Sequence, residues 1–198
     1  MILERLSEIT QPWFAQTQDL EIFDKMLEPV GSIDVYQQAL LGFYQFCQIA
    51  EREAALFAGS PLLGSFQFEQ MRNTPMLRKD LLVLMKSEPP RFFRTLRYYH
   101  LKSETHALGA CYIVEQTSCN LDMLLKVMQE ARGMKNVPSY FTSHYLDYKN
   151  QHLHTIGSML HDLHHSKEKE RQMLDGALKT AKLYAEVTCT MAEQPLVR

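Results

Sequence analysis

Histidine is the side chain that most readily ligates a metal or moves a proton near neutral pH. The chain holds eight of them, His100, His106, His144, His152, His154, His161, His164 and His165, and none before residue 100. His161 and His165 are four apart and could share a helix face as metal ligands do. The stretch His-Asp-Leu-His-His-Ser-Lys-Glu-Lys-Glu around them is polar throughout and lies at a helix junction, so they read as surface histidines. Asp147, His152 and nearby glutamates are the second set, suited to a di-iron site in a bundle. The Glu-x-x-His pair that such sites use is absent, Glu104 and His106 are wrongly spaced, and Glu51 and Glu53 have no histidine at that spacing. The four cysteines, Cys47, Cys111, Cys119 and Cys189, form no C-x-x-C pair. Cys111 and Cys119 would stand about 12 Å apart along one helix, beyond the ~7 Å that a disulfide spans. They read as free thiols in a reducing compartment. No zinc spacing, nucleophile elbow, phosphate loop or dinucleotide fingerprint is present, so no residue is a metal-ligand candidate.

The element that must position any chemistry is the stretch His106–Lys126. At helical spacing its small and apolar residues extend around more than half of the helix, which marks a central helix rather than a surface one. Its middle nevertheless carries Glu115, Gln116, Thr117, Ser118 and Asn120. Buried polar groups are costly unless satisfied. Either they pair with neighbouring helices, the commoner case, or they present a polar patch to a pocket.

The 198 residues suffice for one domain with a sizeable core, and the expectation is a single helical domain over 1–198. A net charge of −2 gives no reason to expect nucleic acid or an anionic membrane as partner. No apolar run approaches the ~20 residues of a membrane span, and Met-Ile-Leu-Glu-Arg-Leu-Ser-Glu-Ile-Thr lacks the layout of a signal peptide. A cytoplasmic location is expected. The spacing predicts helices over Met1 to about Trp13, interrupted or restarted at Pro12, then over 18–27 and, capped by Ser32, 33–58. A loop follows over 59–64. Further helices are expected over 76–85, 92–99, 104–132, 140–164 and 166–191. Leu81–Leu84 is the best strand candidate, but its flanks suit a helix. The fold class is all-α: one compact multi-helix bundle.

The run Ala107-Leu108-Gly109-Ala110-Cys111-Tyr112-Ile113-Val114-Glu115-Gln116-Thr117-Ser118-Cys119-Asn120-Leu121 resembles the distal-helix pattern A-L-G-x-x-Y-V-x-E-G-S-x-x-G-G of the heme oxygenases, especially the bacterial ones. Leu6 and Thr10, Ser32-x-Asp34-x-Tyr36-x-x-x-Leu40, Arg78-x-Asp80-Leu81, Tyr140-Phe141 and Ala177-x-x-x-Ala181 fit weaker family patterns in the same order. The resemblance implies the heme oxygenase fold, with heme held between a proximal and a kinked distal helix. It also implies where the chemistry has changed. The family's proximal histidine falls at Phe14, which cannot ligate iron, and residues 1–99 contain no histidine to replace it. The distal glycines fall at Gln116, Asn120 and Leu121, which should straighten the helix and project side chains. Thr117 matches a polar position that helps order water.

These features imply a heme-oxygenase-like protein with a pocket for a tetrapyrrole or another flat, apolar small molecule. Phe14 is the candidate stacking residue, with Tyr112, Gln116, Thr117, Cys119, Asn120 and Leu121 on the opposite wall. Lys179 and Lys182 are weighed as partners for ligand carboxylates and read as solvated surface. Ordinary heme cleavage is not expected. The alternatives are an active heme oxygenase with non-standard ligation, served by an electron-donor protein; a non-heme di-iron oxidase; and a non-catalytic interaction protein.

Overall fold

Apolar residues at Val35, Tyr36, Leu40, Phe43, Phe46, Cys47, Ala50 and Ala54 recur every three or four positions, the pattern of a helix with a buried face. In the computed structural model they lie on α2 (Ile33–Ala55), and all are buried. The structure describes residues 2–18, 32–65, 67–90, 99–131, 137–146, 155–156, 158–159 and 166–192. Helix α1 is Ile2–Gln18. After α2 come the short α3 (Pro61–Ser65), a 3-10 turn at Phe68–Gln70, and α4 (Thr74–Met85). Helix α5 is Glu104–Ala131, residues 140–146 are helical, and α6 is Lys167–Ala192. Among the described residues there is no strand. Helix α2 packs against α4, α5 and α6, and α1 lies along α6. Among the described residues no helix is long and apolar enough to cross a membrane.

Several expected boundaries move for physical reasons. Pro12 does not interrupt α1, which continues to Gln18. Pro12 and Glu8 are both exposed, so the Glu8 carbonyl that loses its amide donor can turn to water. Helix α2 stops at Ala55, and 56–59 are turns. Part of the expected 59–64 loop is the helical turn α3, started by Pro61, whose fixed φ suits a first helical residue. Pro75 does the same for α4, and Leu81–Leu84 lie inside that helix. Residues 19–27 of the expected 18–27 helix, 92–98 of the 92–99 helix and most of 147–164 in the 140–164 helix lie outside the described residues, as do Asp147, His152, His154, His161, His164 and His165.

The most extensive packing is between α5 and α6. Gly109 and Gly176 make it close. A methyl added to Gly109 would overlap the Met173 carbonyl oxygen and stand 2.8 Å from the Ala177 amide nitrogen. One added to Gly176 would overlap the His106 carbonyl. The two backbones touch, which only residues without a Cβ permit. Ala107, Ala110, Ala177 and Ala181 surround the crossing and are all buried.

Candidate functional site

The polar middle of α5 is almost wholly satisfied by other helices or by its own backbone. The Tyr145 hydroxyl, from the 140–146 helix, donates to Glu115 Oε1 at 2.7 Å. Burial first, and the Glu115 carboxylate after it, hold the Tyr145 phenol well above its ordinary value. Ser118 Oγ donates to the Val114 carbonyl at 2.6 Å and accepts from Asn73 Nδ2 at 2.8 Å. Thr117 Oγ1 donates to the carbonyls of Ile113 (2.8 Å) and Val114 (3.0 Å). Lys126 Nζ donates to Asp122 Oδ2 at 2.7 Å. Gln116 Oε1 and the second carboxylate oxygen of Asp122, Oδ1, are buried and meet no donor among the described residues.

Two buried carboxylates extend this polar framework by capping helices to which they do not belong. The first amides of a helix need acceptors. Asn73, at the cap position of α4, supplies none from its own side chain. Glu51, on α2, accepts from the Asn73 amide at 2.7 Å and the Thr74 amide at 3.2 Å, with Arg72 Nε 3.6 Å away. Asp80, on α4, in turn accepts from the amides of Tyr140 (2.8 Å) and Phe141 (2.9 Å), the start of the 140–146 helix. Burial raises the proton affinity of both carboxyls, while the hydrogen bonds they accept pull it back down. Sequence reading missed both roles. The one signal was a lone acid at a core position of an amphipathic helix: Asp80 beside Leu77 and Leu81, and Glu51 beside Ala50 and Ala54.

The candidate wall residues divide between two sides of α5. Tyr112, Gln116 and Cys119, spaced i, i+4, i+7, share a half-buried stripe, and Asn120 beside them is exposed. Burial raises the Tyr112 phenol's proton affinity. Thr117 and Leu121 turn into the core, at 2% and 8% exposure. Helix α5 runs unbroken through all of these positions. Phe14 is half-buried on α1, its ring 5.9 Å from the Tyr184 ring and tilted by 60°; Tyr184 in turn meets Phe46 at 5.2 Å. Lys182 lies over the Trp13 ring at 5.1 Å, and Lys179 pairs with Asp175 at 2.6 Å.

A cavity lies on another side of α5, between α2 and the 3-10 turn. Ala110, Cys111, Val114 and Glu115 line it from α5, Ala50, Glu51 and Ala54 from α2, and Phe68, Met71 and Arg72 from the turn region. Its volume of about 20 Å³ is room for one water molecule. Burial, with Glu51 and Glu115 adding to it, keeps the Cys111 thiol neutral there. Among the described residues no three histidine, cysteine or acidic side chains converge as a metal site would require.

No family model and no curated protein sequence matches the chain. A solved structure does: heme oxygenase-1 from the cyanobacterium Synechocystis sp. PCC6803, in complex with heme. It superposes with a TM-score of 0.69 over 96% of this chain and 91% of that one, at 16% sequence identity. At that identity the likeness speaks to architecture alone, and a fold does not carry its function with it. The chain has the all-α heme oxygenase fold.

Proposed function

We propose that this protein uses a heme-oxygenase-like scaffold to bind a tetrapyrrole or a similar flat, apolar small molecule, without the iron ligation that heme cleavage needs. The observation that carries the reading is residue 14. Heme oxygenases place the proximal histidine there, and this chain has a phenylalanine whose ring packs against Tyr184. A phenylalanine in that position does not fit a histidine-ligated heme. Phe14 offers a ring edge and face for stacking, worth about 1 kcal/mol beyond the area it buries. On α5, the Gln116 amide oxygen is a buried acceptor still without a donor among the described residues, suited to an N–H or O–H of a ligand.

The test is a paired titration with hemin and with metal-free protoporphyrin. Binding by stacking and side-chain hydrogen bonds predicts saturable, stoichiometric uptake of both, with affinities within a factor of about three. Tight uptake of hemin alone would mean that a side chain ligates the iron, and would overturn the reading. Uptake of neither would favour a second reading, an interaction protein with a self-filled interior. That reading has its own support, since Phe14 already packs on Tyr184 and most polar groups of α5 are paired within the fold.

A further inference from the structure

At the close crossing of α5 and α6, four side chains join the two helices through one imidazole. Ser103 Oγ lies 2.7 Å from His106 Nδ1 and also accepts from the His106 amide at 3.3 Å. The other ring nitrogen, Nε2, is 3.2 Å from Asp175 Oδ2. The same oxygen takes Lys179 Nζ at 2.6 Å. On the far side Ser103 Oγ lies 2.9 Å from the Gln172 side-chain amide, whose other end lies 3.0 Å from Glu168. His106 itself is buried, and its carbonyl rests on Gly176.

Donors and acceptors along this chain can be counted. The Ser103 hydroxyl has one hydrogen. If it goes to Gln172, Ser103 must accept a hydrogen from Nδ1. With Nε2 facing a carboxylate, the imidazole then carries hydrogens on both nitrogens and is a cation. If the imidazole is neutral and donates from Nε2, the Ser103 hydrogen must turn to Nδ1, and the Gln172 amide must rotate to offer a donor in place of its oxygen. Taking up one proton therefore reorients a serine hydroxyl and a glutamine side chain that bridges to Glu168. The groups facing the imidazole pull in both directions. Asp175 favours the cation, and so does Glu168 through its electrostatic coupling to the ring. Burial is the largest influence against it, followed by Lys179 and Lys102. Glu104, in the same first turn of α5, is engaged by the Leu62 amide of α3 at 3.4 Å.

We propose that Ser103, His106, Asp175 and Lys179 form a proton-sensitive clamp holding the start of α5 to α6, and that Lys179 decides its response by competing with His106 for one oxygen of Asp175. The sign follows from the balance. Burial and the two lysines place the imidazole's folded proton affinity below its ordinary value. The unfolded chain therefore takes up the proton first, and the clamp's stability, present above the ordinary histidine pKa of about 6.5, is lost as pH falls through the window below it. Removing Lys179 frees the Asp175 oxygen for the imidazole alone and moves the balance toward the cation.

The experiment is an NMR titration of the histidine ring carbons in the full chain, with His106→Asn assigning the resonance. Wild type should titrate below the ordinary histidine value, Lys179→Gln above wild type, and Asp175→Asn below it. The Lys179 side chain is about a quarter exposed, so that variant keeps the core intact. Urea midpoints at about pH 7.5 and 5.5, either side of the ordinary histidine pKa, give an independent readout. Acid should lower the midpoint of wild type more than that of His106→Asn, and Lys179→Gln should lose less than wild type. A His106 titration unmoved or lowered by Lys179→Gln would overturn the proposal. So would equal acid sensitivity in wild type and His106→Asn.

Discussion

Two adjoining stretches of α5 differ in composition and do different work. From Glu104 to Val114 the helix is a packing surface. Gly109 touches the backbone of α6, Ala107, Leu108, Ala110 and Ile113 are buried almost completely, and the stretch matches the heme oxygenase pattern residue for residue at Ala107-Leu108-Gly109 and Tyr112. From Glu115 to Leu121 the helix is a polar junction. Its side chains reach Tyr145, Asn73 and their own backbone, and here the family's glycines give way to Gln116, Asn120 and Leu121. The comparison teaches that the resemblance is carried by residues that set a helix crossing. Those residues transmit architecture, and chemistry can diverge beside them without disturbing it.

The comparison breaks most directly at the crossing. Gly109→Ala or Gly176→Ala should gain about 1 kcal/mol of helix propensity and lose more than that, because the new methyl meets backbone, which cannot give way as a side chain can. Overpacking of this kind costs roughly 1–3 kcal/mol and occasionally more. The valine variants should not accumulate as folded protein. Urea unfolding of the alanine variants checks the first statement, and soluble yield the second. A stability equal to wild type for Gly109→Ala would mean that the helices separate cheaply, and that the matched half is no more constrained than the unmatched one.

The next largest effects belong to the carboxylates that cap neighbouring helices. Asp80→Ala strands two buried amides at the start of the 140–146 helix, and Glu51→Ala strands two at the start of α4; each should cost about 2–3 kcal/mol. Their pH dependence runs opposite to that of a surface ion pair. Burial raises the folded pKa of both acids. The stability linked to their protonation is therefore full below the ordinary carboxyl range, about 4, and is lost as pH rises through the raised folded values. Asp80→Asn should flatten that part of the stability profile while keeping one acceptor for the cap. A profile unchanged by Asp80→Asn would show that Asp80 is ionised in the fold at no cost.

These carboxylates also mark where sequence reading stopped. The helices of α1, α2, α4, α5 and α6 were legible because each buries one face at a regular spacing, and the all-α architecture follows from that periodicity. Pro12 misled because a proline's cost depends on whether the orphaned carbonyl reaches water, and exposure is a tertiary property. Asp80 was legible only as part of a short motif. Its function is to accept amides sixty residues away, and nothing local encodes that. The wall of the candidate pocket on α5 is read as six residues. Helical geometry separates them, since Thr117 and Leu121 lie far around the helix from Tyr112, Gln116 and Cys119, and that much was computable from 100° per residue. The His106 network needed the register of α6 against α5, which two glycines fix and no local pattern announces.

A smaller effect on stability, with a sharper effect on ligand, is expected from Phe14→His. The ring is only half-buried, so the loss should be about 1–2 kcal/mol. An imidazole there should add iron ligation, so that hemin binds well ahead of metal-free protoporphyrin, with little turnover, because a proximal ligand supplies iron affinity and makes no room on the other face. Asn120→Gly is the companion change that opens that face, costing roughly 1 kcal/mol in helix propensity. Leu121→Gly is the poorer companion, since Leu121 fills the core and its loss adds a cavity penalty. Absorption spectra of the hemin complexes, and bilin formation with an added reductant, check both steps. A Phe14→His protein that folds and gains no preference for hemin over metal-free protoporphyrin would break the alignment of residue 14 with the proximal position.

The smallest effect sharpens the comparison most. Gln116 has a buried oxygen with no donor among the described residues, so it carries a desolvation cost that Glu115 and Ser118 avoid. Removing a buried acceptor that makes no hydrogen bond removes that cost, so Gln116→Met should raise stability by about 0.5–1 kcal/mol. The same change at Glu115 or Ser118, whose bonds are made, should lower it. The sign difference between adjacent residues on one helix is the signature of a polar group kept for something other than folding. If that something is a ligand, Gln116→Met should bind protoporphyrin several-fold more weakly while melting higher, a trade that a purely structural glutamine would not show. Urea unfolding and a porphyrin titration on the same preparation decide it: a variant that is less stable than wild type would mean that Gln116 is satisfied within the fold, and one that is more stable with unchanged porphyrin affinity would remove Gln116 from the pocket.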